Sequence, residues 1–122
     1  MTSTNISEAQ NPFEQGLDLL AGGFAAQAAS AFRAAIAADP MHYEAHHGLV
    51  RALRDAGELE KSVSVALALT ALTPDDPLAH TALSISLQQA GHVPEAEAAA
   101  ARARIQEWRV QLQSPQSEDS LR

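Results

Sequence analysis

"GFAAQAASAFRAAIAADP" (residues 23–40) and "GELEKSVSVALALTALTP" (residues 57–74) decide the fold of this 122-residue chain. Each stretch runs from a glycine to a proline at the same interval (40−23 = 74−57 = 17), and the two glycines stand at an interval of 57−23 = 34. A third glycine, Gly91, follows Gly57 at the same interval of 34. Self-similarity at a fixed period of this size marks stacked helical hairpins. The segments between the marks have helical periodicity, with Leu49 and Leu53, and again Leu83 and Leu87, at i and i+4. Start signals agree: Asn11–Pro12 and Asp76–Pro77 each set a capping side chain ahead of a proline, and Glu14 stands at i+3 from Asn11. Glycine in each hairpin turn permits the left-handed conformation that ends one helix and opens the next. The reading is six helices, over about 12–22, 25–38, 42–56, 58–72, 77–90 and 94–112.

Composition supports helices over sheet. Hydrophobic residues are 46% of the chain but aromatics only 4%. Alanine is the dominant filler, and it has the best helix propensity and a poor strand propensity. Eight Lys+Arg stand against fifteen Asp+Glu, a net charge of −7. Nucleic acid needs a basic face, so it is excluded as the expected partner. The absence of cysteine removes disulfides, thiol nucleophiles and thiolate metal sites together. Residues 1–16 hold no basic residue and no apolar run, unlike a secretory signal, and no stretch approaches the ~18 apolar residues of a membrane span. The expectation is a cytoplasmic protein that does not engage membranes. Residues 1–8 and 113–122 are polar and are expected to be disordered, leaving one ordered domain over 9–112 with repeats at about 9–42, 43–76 and 77–112.

At this point the chain resembles the tetratricopeptide repeat family, whose hairpin reads Trp-x2-Leu-Gly-x2-Tyr in its first helix and Ala-x3-Phe, then Pro, in its second. The first repeat matches at Gly16, Leu19 in the Tyr slot, Ala28, Phe32, Ala35 and Pro40; the second at Leu49, Leu53, Gly57 and Pro74; the third at Leu83, Leu87, Gly91 and Ala96. The resemblance covers about residues 9–108 and implies an all-α, right-handed superhelical array of three helix-turn-helix hairpins with an extended C-terminal helix. The departures are specific. Pro12, His46 and His80 occupy the Trp slot, and the second repeat reads Ser62, Ala66 and Leu69 where the first reads Ala28, Phe32 and Ala35. Large and small residues trade places there, which a core of conserved volume tolerates.

Trp108, the only tryptophan, stands at an interval of 108−91 = 17 from Gly91, in the slot held by Pro40 and Pro74 in the other repeats. Proline stops a helix, and without it the last helix is expected to run on. Ala101, Ile105, Trp108 and Leu112 then form one apolar stripe. The simpler expectation is that Trp108 caps the array by folding onto the last hairpin, since large aromatics in small helical proteins are mostly core. The alternative is a docking stripe over Ile105, Trp108 and Leu112 for a second copy, giving a homodimer through the C-terminal helix, or for another partner.

The family resemblance implies a concave groove lined by the first helix of each hairpin. Its positions here are Phe13, Leu17 and Leu20, then Glu44, His47, Arg51 and Arg54, then Leu78, Thr81, Ile85 and Gln88. Such a groove can seat an amphipathic helix or an extended segment, with Arg51 and Arg54 gripping a carboxylate; the competing reading pairs these arginines with Glu44, Asp55 or Glu58 on their own surface. The carboxylate clamp of chaperone-tail binders has its slots at Phe13, Leu17, Gly48, Leu78 and Ala82 here, and none matches. His42 and His46, at i and i+4, have a spacing that can bind metal, but His in the Trp slot reads more simply as a packing residue, and no metal or other cofactor is expected. No phosphate loop and no nucleophile–base pair is recognisable. Glu95 and Glu97 suit a helix start. The expected function is a non-catalytic interaction module that binds a peptide or helix of another protein. Its alternatives are a chaperone shielding an apolar segment of a secreted partner and, more remotely, a metal-binding or enzymatic role through His42, His46 and His80.

Overall fold

A computed structural model of the chain describes residues 11–113. The described residues form six α-helices and no strand: α1 (Pro12–Ala21), α2 (Ala25–Ala38), α3 (Tyr43–Asp55), α4 (Leu59–Leu72), α5 (Pro77–Gln89) and α6 (Val93–Gln113). Every helix end lies within one residue of its sequence expectation. The segments expected to be disordered, 1–8 and 113–122, lie outside the described residues except for Gln113, which ends α6.

The three hairpin turns are built alike. Gly23, Gly57 and Gly91 have φ of 88°, 82° and 92°. At each, the next residue's N–H reaches back to the carbonyl of Leu19, Leu53 or Leu87 at 2.8–2.9 Å, and the glycine N–H to that of Leu20, Arg54 or Gln88 at 3.0–3.1 Å. This double bond pattern satisfies the orphaned carbonyls of a helix end, and it requires a residue that accepts positive φ. The helices that open a repeat are capped by side chains: Asn11 Oδ1 accepts from the Glu14 N–H at 2.8 Å, His42 Nδ1 from Ala45 at 3.3 Å and Asp76 Oδ1 from Leu78 at 3.0 Å.

Each helix packs on the next in sequence. In addition the backbone of α1 comes close to that of α3, and α3 to α5, whereas the backbones of α2, α4 and α6 stay apart from one another. The first helices therefore line the inner side of a curved array and the second helices its outer side. More than half of the buried apolar residues are alanine, which lets helix backbones approach closely.

The first junction turns on one ring. Phe32 is fully buried, and a Cβ added at Gly16 or at Gly48 would come within 2.6 Å of its Cε1. Phe32 thus wedges between two helices that carry no side chain at the contact. One period later the same three positions are Val50, Ala66 and Ala82, so the volume comes from the flanks and the centre is small. Leu69, one turn from Ala66, is fully buried as well.

The histidines in the Trp slot join one repeat to the next. His46 Nε2 lies 2.9 Å from the Pro40 carbonyl, and His80 Nε2 lies 2.7 Å from the Pro74 carbonyl. The two contacts are the same contact one repeat apart. Each imidazole donates across the corner between repeats, to the carbonyl of the proline two residues beyond the end of the previous helix.

The capping expectation for Trp108 is corrected. Its side chain is 65% exposed, with Ile105 at 49% and Leu112 at 66%. The reason is helical phase. Ala96, Ala99 and Ala103 face the core, and at 100° per residue positions 101, 105, 108 and 112 fall on the opposite side.

Candidate peptide-binding groove

The inner face is built by α1, α3 and α5, with α3 in the centre. Leu17, Leu78 and Ile85 are exposed, as a binding face requires. Phe13 differs from its expected place. Its ring is half-buried, 5.9 Å from the Phe32 ring and 4.5 Å from that of His42, so it belongs mainly to the junction of α1, α2 and α3. Leu20 is likewise half-buried against the first core cluster. The apolar element at the α1 end is thus carried chiefly by Leu17. Across the groove, His47 Nε2 stands 3.8 Å from Asp76 Oδ2, which links the middle of α3 to the residue that caps α5. Asp76 reads from sequence only as a helix cap; its second role needs the neighbouring repeat beside it.

The two groove arginines separate. Arg51 is exposed and its Nε points at both oxygens of Asp55, at 3.3 and 3.2 Å, one turn along its own helix. Such a pair occupies Arg51 and contributes little to stability. Arg54 is half-buried, and its Nη1 is buried with no hydrogen-bond partner among the described residues. Loss of water pushes the Arg54 guanidinium below its ordinary pKa, the like charge of Arg51 adds to this, and Asp55 opposes it. A desolvated cation with an unused donor is unfavourable alone and favourable beside a carboxylate.

His80 Nδ1 and Ser86 Oγ are likewise buried without a hydrogen-bond partner among the described residues, whereas the other polar side chains near the groove are engaged. His42 caps α3, His46 and His80 hold repeat corners, and His92 Nε2 meets Glu60 Oε2 at 2.9 Å, tying the start of α6 to α4. This last pair, 32 residues apart in sequence, carries no sequence signal. Among the described residues no three His, Asp or Glu side chains are grouped so as to hold a metal ion. No helix among them is long and apolar enough to cross a membrane.

A model of the tetratricopeptide repeat family matches residues 13–77, a little over half of the chain. Seven chains of solved structures match it. One, described as "MamA MSR-1 C2", aligns with a TM-score of 0.71 at 21% identity, over 78% of this chain and 55% of its own length. The chain therefore spans about half of that neighbour, and at this identity the likeness is one of fold. No curated protein matches.

Proposed function

Because the chain belongs to the tetratricopeptide repeat family, and is in that respect a protein-interaction module, we propose that it binds an extended or helical segment of a partner along α1, α3 and α5, with a carboxylate of that segment on Arg54. The observation that carries this reading is the buried, unpartnered Nη1 of Arg54 on the face that also exposes Leu17, Leu78 and Ile85. A partner carboxylate supplies the missing acceptor, and its apolar residues cover the leucines and the isoleucine. Arg51, held by Asp55, acts through its charge. The cationic centre breaks the apolar face in two, which favours a segment with an acidic residue between apolar ones over the continuous apolar stretch that a shielding chaperone covers.

The test is affinity capture from the native host's lysate with wild type, Leu17→Glu/Leu78→Glu and Arg54→Met, each checked for folding by circular dichroism. Leu17 and Leu78 are exposed, so their replacement leaves the core intact. A protein retained by wild type and lost by both variants supports the groove. The same protein retained by all three would reject it. Arg54→Met has a second signature: removing a desolvated cation should leave the melting temperature equal or higher while binding falls, as for sites whose function costs stability.

A further inference from the structure

The outer face of the array presents a second surface, distinct from the groove. The exposed stripe of Ile105, Trp108 and Leu112 on α6 continues towards the array through Ala101 and Ala98. Beside Ala98 a cleft of about 330 Å³ opens between α4 and α6, lined by Val63 and Leu67 of α4, Leu83 and Leu87 of α5, and Glu95 and Arg102 of α6. Leu67 is itself 57% exposed. Stripe and cleft lie on one helix face, because positions 98, 101, 105, 108 and 112 follow the i, i+3/i+4 spacing.

Charge decides what fits there. The chain has eight Lys+Arg in all, and three of them, Arg102, Arg104 and Arg109, stand within two turns of one another on α6. At 100° per residue Arg104 borders one edge of the stripe and Arg102 and Arg109 the other. Arg51 and Lys61 are paired with Asp55 and Glu58, but these three arginines make no ion pair among the described residues. Glu97 and Glu95 border the first turn of the tract, but from Ala101 to Leu112 the apolar stripe is edged by arginines that pair with no described residue, a local exception on a chain of net charge −7.

We propose that this outer face docks an amphipathic helix of a partner protein whose apolar stripe is edged by aspartate and glutamate. The tract from Ala98 to Leu112 is about 21 Å long, the length of about four helical turns. A second copy of α6 does not suit it, since pairing two such helices sets arginines against arginines at both edges. An anionic membrane suits it less well, because an extended surface meets the net negative charge of the whole molecule, whereas one helix meets only the charges within about a Debye length of ~8 Å.

Trp108, as the only tryptophan, reports docking directly through its fluorescence. The probe is a synthetic amphipathic helix of leucines edged by glutamates, titrated into the full chain, with a control in which lysine replaces every glutamate. The expected result is a saturable blue shift with the glutamate helix alone. Its affinity should fall about tenfold or more in Arg104→Glu/Arg109→Glu, and fall again as salt rises from ~0.05 to ~0.5 M. Both arginines are exposed, and circular dichroism confirms that the variant is folded. The proposal is overturned by no shift with the glutamate helix, by an equal shift with the lysine helix, or by an affinity indifferent to the arginine reversal. It is also overturned if the protein alone shifts with concentration and sediments as a dimer, or if vesicles of anionic lipid produce the shift where the glutamate helix does not.

Discussion

At the scale of residues, the first repeat rests on a contact that no single position announces. Gly48 is on a helix, where glycine is ordinarily a cost, and it is there because Phe32 needs the space. Gly48→Ala should destabilise the protein by about 1–3 kcal/mol, the usual range for overpacking, read from the urea midpoint. The same substitution in a Phe32→Ala background should cost much less, because the void left by the ring accepts the methyl. Coupling between such contacting sites is commonly about 0.5–3 kcal/mol. Additive losses would mean that the ring and Gly48 do not share one space. The second junction, with Val50, Ala66 and Ala82, is nature's version of the compensated arrangement.

At the scale of elements, stability lies in the joints. In the hairpin turns, a Cβ on Gly57 would touch nothing within 4 Å, so its φ of 82° is the whole constraint. Gly57→Val should therefore cost at least the ~1–2 kcal/mol of a left-handed β-branched residue, while Gly57→Asn should cost less, since asparagine tolerates that region. Equal melting temperatures for the two variants would contradict the geometry. At the corners between repeats, His80 is buried and His46 half-buried, with the same hydrogen bond to a proline carbonyl. His80→Ala should be the more destabilising of the two, by about 1–3 kcal/mol as a buried acceptor loses its donor, with His46→Ala below it in thermal melts.

At the scale of the whole molecule, close backbone approaches among the described residues run only between adjacent helices and between successive first helices. Stability then adds up from neighbours along the array, and the ends are weakest. Native-state hydrogen exchange should be slowest in α3, α4 and α5, faster in α1, and fastest in the part of α6 beyond Ala103, whose side chains are largely exposed. Uniform protection across the six helices would instead mean one cooperative block. The same linear build leaves two long faces open. On the inner one, Arg54 is half-buried beside Arg51 and Asp55; on the outer one, three arginines edge the α6 stripe.

The sequence by itself determined the architecture. Glycines recurring at an interval of 34, each followed by a proline at an interval of 17 in the first two repeats, marked the turns. The caps at Asn11 and Asp76 marked helix starts, because these features depend on local backbone chemistry. Of the inner-face positions that the family register implies, Leu17, Leu78 and Ile85 are exposed, whereas Phe13 and Leu20 are half-buried against the first core cluster. What only the tertiary structure decided concerns pairs from different helices. Phe32 between Gly16 and Gly48, the histidines bonding across repeat corners and His92 on Glu60 each depend on which surfaces meet. Trp108 shows the limit most plainly. Its place on an apolar stripe was legible, but the side of α6 that faces the core was not, because a helix phase becomes inside or outside only when its neighbour is in place. Arg51 and Arg54 look alike in sequence and differ in the fold, because one reaches Asp55 and the other is drawn out of water.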